Sequence, residues 1–175
     1  MTPEIVIRDA TPDDVPSIRD IYAHHVLHGL ASFEEQAPDL AEMTRRFQAL
    51  SEAGFPYLAA FLDGVLVGYA YAGQYRPRPA YRHSVEDSIY VREGNAGKGI
   101  GRTLLSALLE RCTACGFRQM IAIIGDSGNT GSIRLHESLG FERIGTIRSV
   151  GFKHGRWVDS VLLQRPLGSG DTTLP

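Results

Sequence analysis

Val91-Arg-Glu-Gly-Asn-Ala-Gly-Lys-Gly-Ile-Gly-Arg102 is the stretch on which the fold turns. Upstream of it, Val85 to Val91 reads as a strand; downstream, Gly101 to Cys115 is rich in good helix formers. A strand that enters a glycine-rich turn and then a helix presents free N–H groups and the positive end of a helix dipole, which suits phosphate oxygens. Gly97, Gly99 and Gly101 let the backbone approach such an anion closely. The same glycines also suit a plain, flexible helix entry. Two familiar nucleotide motifs fail on spacing. A GxGxxG fingerprint from Gly97 needs glycine where Arg102 stands, and a Walker A loop from Gly94 needs lysine where Ile100 stands.

Outward from the turn, elements of both kinds alternate. Ile5 and Ile7 mark a short first strand. Thr11-Pro12-Asp13-Asp14 opens a helix through Val15, Ile18, Ile21, Tyr22 and Val26. A second helix runs from about Leu40 to Ala53, ended by Gly54 and Pro56. Tyr57 to Leu62 and Val65 to Tyr71 flank Asp63-Gly64, a hairpin signal. A loop rich in Pro and Arg spans Gln74 to Arg82. Past the glycine turn, Gln119 to Ile124 is a strand and Asn129 to Leu139 a helix stopped by Gly140. Phe141 to Val150 and Trp157 to Gln164 are strands. One domain over 1–167 is expected, with a polar, frayed tail over 168–175.

Composition narrows the classes. The 175 residues carry a formal net charge of −2, so no global field favours nucleic acid or an anionic membrane. No apolar run approaches the roughly 20 residues of a membrane helix. The acidic N-terminus lacks a signal peptide's pattern, and with two cysteines it predicts a cytoplasmic protein. Cys112 and Cys115 form a CxxC, but no second pair completes a zinc site, and Cys112 continues the core spacing of Leu105, Leu108 and Leu109. His24 and His28 share a helical face without an evident third ligand, so no metal is expected.

The glycine turn, at Ala96 to Gly101, resembles the acetyl-CoA pyrophosphate loop of the GNAT N-acetyltransferases, with Ala96 where the family has Arg or Gln. Asn129 to Phe141 resembles the family's later motif, in which Asn opens a helix and Gly-Phe ends it. Tyr69 to Gly73, Val85 to Val91, His136-Glu137 and Gly151-Phe-Lys-His-Gly-Arg-Trp157 look like the phosphinothricin and methionine sulfoximine acetyltransferase branch. The resemblance implies an α/β (α+β) GNAT fold, a mixed, mostly antiparallel sheet of about seven strands with about four helices. It also implies acetyl-CoA as cofactor, a homodimer, and acetylation of the amino group of a small amino-acid-like substrate by direct attack through a tetrahedral intermediate. The alternatives are a protein or peptide N-acetyltransferase and a noncatalytic acyl-CoA-binding module.

The site residues follow partly from the same resemblance and partly, for Lys98, Arg102, Tyr75, Arg76 and Arg82, from side-chain chemistry beside the two loops. Glu86 stands where the branch has its base, and His136 where many members have the acid for the leaving thiolate. The implied cofactor contacts are Ile89, Tyr90, Val91, Gly97, Lys98, Gly99, Ile100, Gly101, Arg102, Asn129 and Ser132, with a strand N–H of Ile89 to Val91 meeting the oxyanion. Phe33, Tyr75, Arg76, Arg82, Lys153 and Trp157 are the substrate-side candidates, Arg76 or Arg82 as a carboxylate fork. Each also has a structural reading: Asn129 as an N-cap, His136 packed under the sheet, the arginines solvated. An unperturbed glutamate at ~4.3 and an amine at ~8 differ by roughly 5 kcal/mol, so Glu86 acts directly only if burial raises its pKa or water relays the proton. It can also simply position the ammonium.

Overall fold

Alternation along one strand, β4 (Ser84–Val91), divides the molecule. Val85 packs, with Ile89 and Val91, into one apolar cluster, while Tyr90 packs into another on the opposite face. Glu86 and Ser88 therefore share the Tyr90 face, and Asp87 points the other way. The computed structural model describes residues 4–175, so the expected domain start at residues 1–3 lies outside it.

Seven strands form one sheet in the order β1-β2-β3-β4-β5-β7-β6. They are β1 (Ile5–Asp9), β2 (Tyr57–Leu62), β3 (Val65–Gln74), β4, β5 (Gln119–Gly125), β6 (Glu142–Lys153) and β7 (Arg156–Pro166). Four α-helices cover it: α1 (Val15–His28), α2 (Leu40–Glu52), α3 (Ile100–Ala114) and α4 (Thr130–Ser138). This is the mixed, mostly antiparallel architecture expected: of the strand pairs, β4–β5 alone is parallel.

Each helix is anchored by its apolar stripe. α3 buries Ile100, Leu104, Leu105, Leu108, Leu109 and Cys112 against the sheet. At about 1.5–3 kcal/mol per large side chain removed from water, this stripe fixes the helix and so the turn at its N-terminus. Val15, Ile18, Ile21, Tyr22 and Val26 of α1 pack on the other face with Met43 and Phe47 of α2. A one-turn 3-10 helix, Pro12–Asp14, precedes α1. There the Asp14 carboxylate accepts from the Thr11 N–H at 2.7 Å and from Arg8.

Two sequence expectations need correction. β6 runs past Val150 to Lys153, and Gly151 to Trp157 is a hairpin whose turn residues His154 and Gly155 both have positive φ, 50° and 73°. A His-Gly pair between alternating residues is a hairpin signal of the Asn-Gly kind. The tail is not frayed: Leu167 is buried, and Arg118 donates to the carbonyls of Gly170 and Leu174 at 2.8 Å each.

Candidate active site

β4 and β5 are joined at one end only. Ser84, Val85 and Glu86 pair with Gln119, Met120 and Ile121, and beyond them the two strands part. Arg92 donates its backbone N–H to Val67 of β3 at 2.8 Å. By alternation the N–H groups of Ile89 and Val91 face away from β3, into the opening. The Val91 carbonyl also faces outward, accepting a 2.8 Å bond from His25 Nε2 on α1.

A groove of about 840 Å³ leads from the opening across the glycine turn to the N-termini of α3 and α4. Gly99, the residue before α3, has φ +84°, and a Cβ built on it would meet nothing within 4 Å. The first N–H groups of α3 have no partner within the helix, no side chain caps them, and no acid stands in the first turn. This is a cradle for an anion. Across the groove, Asn129 caps α4, its Oδ1 accepting from the Ser132 N–H at 3.2 Å.

A second cavity, about 410 Å³, passes through the opening itself. It shares Ala31, Ile89, Tyr90, Asn129 and Ser132 with the groove, so the two are continuous. Glu86 lines it. Burial first, and then the charge of Asp87, push the Glu86 carboxyl up to about 7, with Arg76 opposing. Asp87 and His136 line it from the other side, His136 Nε2 lying 2.9 Å from Asp87 Oδ2. Phe33 forms part of its wall. That ring rests on two glycines: a Cβ on Gly151 would come within 2.5 Å of the Phe33 ring, and one on Gly125 within 3.0 Å of it. A register shift in β6 between Ile147 and Gly151 lies just before that seat. Tyr22, Ser32 and Glu34 line the same cavity, Tyr22 Oη bonding to Ser32 and Glu34 at 2.9 Å each, and Arg46 pairs with Glu34.

Residues 7–162 match the model of the acetyltransferase (GNAT) domain. The chain belongs to the GNAT acetyltransferases. The acetyltransferase is 56% identical over 170 residues to phosphinothricin N-acetyltransferase of Alcaligenes faecalis, a match covering 97% of this chain and 85% of that one. It is 44% identical over 159 residues to L-methionine sulfoximine/L-methionine sulfone acetyltransferase of Pseudomonas paraeruginosa, covering 90% and 92%. A crystal structure of a GNAT superfamily phosphinothricin acetyltransferase from Sinorhizobium meliloti in complex with AcCoA superposes with a TM-score of 0.95 at 50% identity, covering 100% of this chain and 94% of that one.

The groove of the acetyltransferase fits acetyl-CoA by its own geometry: open space before Gly97 and Gly99, free helix N–H groups, and strand N–H groups at the opening. Among the residues expected there, Ile89, Tyr90, Val91, Gly97, Gly99, Ile100, Gly101, Arg102, Asn129 and Ser132 line it. Lys98 does not; its exposed ammonium donates to Asn95 Oδ1 at 2.9 Å. The expected substrate side is redrawn more heavily. Phe33 is in place, but Lys153 is buried and donates to the Ser32 carbonyl, 2.6 Å away, so it braces the Phe33 segment from behind. Trp157 lies on the surface against Phe152. Arg76 is exposed over the Tyr75 ring, and Tyr75 packs on Tyr81, while Arg82 donates to the Pro79 carbonyl. Tyr75, Arg76, Arg82, Lys153 and Trp157 all lie outside the cavity lining, although the Arg76 charge reaches Glu86.

Sequence reasoning did not place His25, Leu30, Ala31 or Asp126 in the groove, nor Ser88 and Ser160 in the cavity. It also did not pair Asp87 with His136. Cys112 is a core residue, as its spacing predicts, its thiol pushed up to about 12 chiefly by burial. Among the described residues no group of three or more His, Cys, Asp or Glu side chains could hold a metal ion.

Proposed function

We propose that this acetyltransferase moves the acetyl group of acetyl-CoA to the amino group of a small amino acid of the phosphinothricin or methionine sulfoximine type. The observation that carries it is the cavity through the β4–β5 opening, continuous with the anion-cradling groove and walled by Phe33. Bound acetyl-CoA supplies an activated acyl group. Glu86 takes the proton of the incoming amine. With Glu86 at about 7 and an amine near 8, the mismatch falls to about 1.4 kcal/mol, small enough for direct transfer. The N–H groups of Ile89 and Val91 stabilise the charge that develops on the acyl oxygen. The small walled cavity favours a free amino acid over a peptide, which needs an open groove. The relatives named above bear phosphinothricin and methionine sulfoximine in their names, which supports the same class. Thiol release from acetyl-CoA across amino acids, amines and peptides tests it. Methionine sulfoximine or phosphinothricin should turn over far better than peptide amines. Equal turnover of peptide amines would overturn the substrate class.

The same reading places the chain in the cytoplasm as a homodimer. No helix of the described residues is long and apolar enough to cross a membrane. Along the sheet edge, β6 exposes Ile144, Ile147, Val150 and Phe152, the last 57% exposed beside Trp157 at 65%. A long apolar edge strand is a liability unless a partner covers it. Sedimentation equilibrium should give twice the chain mass, and Phe152→Asp should halve it. A wild-type monomer at tens of micromolar would exclude the dimer.

A further inference from the structure

His136 is held at both ring nitrogens. Nδ1 lies 2.7 Å from the Ser132 carbonyl, which only accepts, so Nδ1 carries a hydrogen. Nε2 lies 2.9 Å from Asp87 Oδ2. With Nδ1 already a donor, an ionised carboxylate at Nε2 requires a second ring hydrogen. Both side chains are almost fully enclosed, 4% and 2% exposed. The other oxygen, Asp87 Oδ1, is buried with no hydrogen-bond partner. A buried carboxylate with a bare oxygen is costly unless a cation stands beside it. Among the described residues no lysine or arginine lines this cavity, which leaves the His136 ring.

We propose that Asp87 is a positioning residue of this acetyltransferase: it holds His136 doubly protonated, and the pair keeps its place in the cavity wall only while that proton is present. This departs from the role expected for His136, because neither nitrogen is free to give a proton to a leaving thiolate. The surroundings define the electrostatics. Glu86 neighbours Asp87 on β4, the Cys112 thiol approaches from α3 and stays neutral, Ser160 comes from β7, and Phe141 sets its ring edge-on to His136 at 5.0 Å. Burial pushes the His136 pKa down, but the hydrogen bond and charge of Asp87, helped by the Ser132 carbonyl, outweigh it and the net shift is upward. As pH rises through that raised value, Nε2 loses its proton. A lone pair then faces the carboxylate, and the contact turns repulsive.

The test has one arm free of catalysis. Nitrogen-detected NMR of the purified chain at pH 7 should show two ring N–H protons on His136 and imidazolium-type nitrogen shifts, titrating above the ordinary histidine range. In Asp87→Asn, the amide N–H can donate to Nε2, so the ring should stay neutral with the Nδ1 hydrogen alone. The kinetic arm rests on the acetyl-transfer reading above. The wild type should lose rate on the alkaline side as His136 deprotonates, and Asp87→Asn should lack that falling limb. Asp87→Ala, which leaves the ring without a partner, should lose at least about tenfold in kcat at every pH, since misplacing a group of the site by ~1 Å can cost about 10²-fold. Its acetyl-CoA affinity should be retained. A wild-type ring with a single hydrogen at pH 7 would overturn the proposal whatever the substrate proves to be. So would an Asp87→Asn pH profile that matches the wild type. If Asp87→Ala fails to fold, the wild-type spectrum and Asp87→Asn still decide.

Discussion

Glu86→Gln is expected to lower kcat by about 10²–10⁴-fold while leaving the fold and acetyl-CoA affinity intact. The side chain is half-buried in the cavity wall, and the glutamine keeps its size and hydrogen-bonding capacity but cannot take a proton. The carboxyl sits at about 7, so the wild-type rate should climb through that pH as the base ionises. That limb should vanish in the variant, whereas a limb set by the amine's own ionisation should remain. Steady-state kinetics across pH 5–9 measures both. A rise in KM at constant kcat would show that Glu86 only holds the ammonium. Unchanged kcat and KM would remove Glu86 from the mechanism and leave the assignment of the cofactor groove untouched.

Gly99→Val is expected to weaken CoA binding by at least about 10–100-fold, or roughly 1.4–2.8 kcal/mol, because a side chain would occupy the anion cradle. Two effects meet there, and the second sets the loss of affinity. Valine is a poor fit to φ +84°, and its side chain would fill the open space before the free N–H groups of α3. Gly94 supplies the control. It has φ +77° and equally open surroundings but does not line the groove. Gly94→Val therefore carries the same backbone strain and should leave CoA affinity near wild type. Calorimetric titration with CoA separates the variants. Comparable losses in both would mean that strain in the turn, rather than occupation of the cradle, governs binding.

The parts of this site legible in the sequence are those written in adjacent residues. The glycine turn, the Asp63-Gly64 hairpin and the Asn129 cap each depend on neighbours a few positions apart, and all three form as read. Parts that depend on distant partners were not legible. Asp87 and His136 stand 49 residues apart, and no local pattern announces that a strand acid and a helix histidine will meet. The face of Glu86 is fixed only once Val85 and Tyr90 have chosen their clusters. Lys153 reads as a substrate-side residue until its ammonium is found 2.6 Å from the Ser32 carbonyl, 121 residues away. The tail is held for the same reason, by Arg118 from another element. In the hairpin at His154-Gly155 the local signal was present, but histidine is a less familiar turn residue than asparagine.

The short parallel ladder between β4 and β5 divides the chain in sequence as well as in space. Among the described residues β1 to β4, all before residue 92, build one leaf of the sheet, β5 to β7, all after residue 118, build the other, and α3 with its flanking turns is the covalent crossing between them. Three residue pairs weld the leaves along the backbone. A ligand seated at the parted end touches both leaves and binds only when they are assembled. Its binding energy is thereby added to the cooperativity of folding, about 2.7 kcal/mol at a hundredfold excess over Kd. In this architecture the supply of acetyl donor and the stability of the fold are thermodynamically linked.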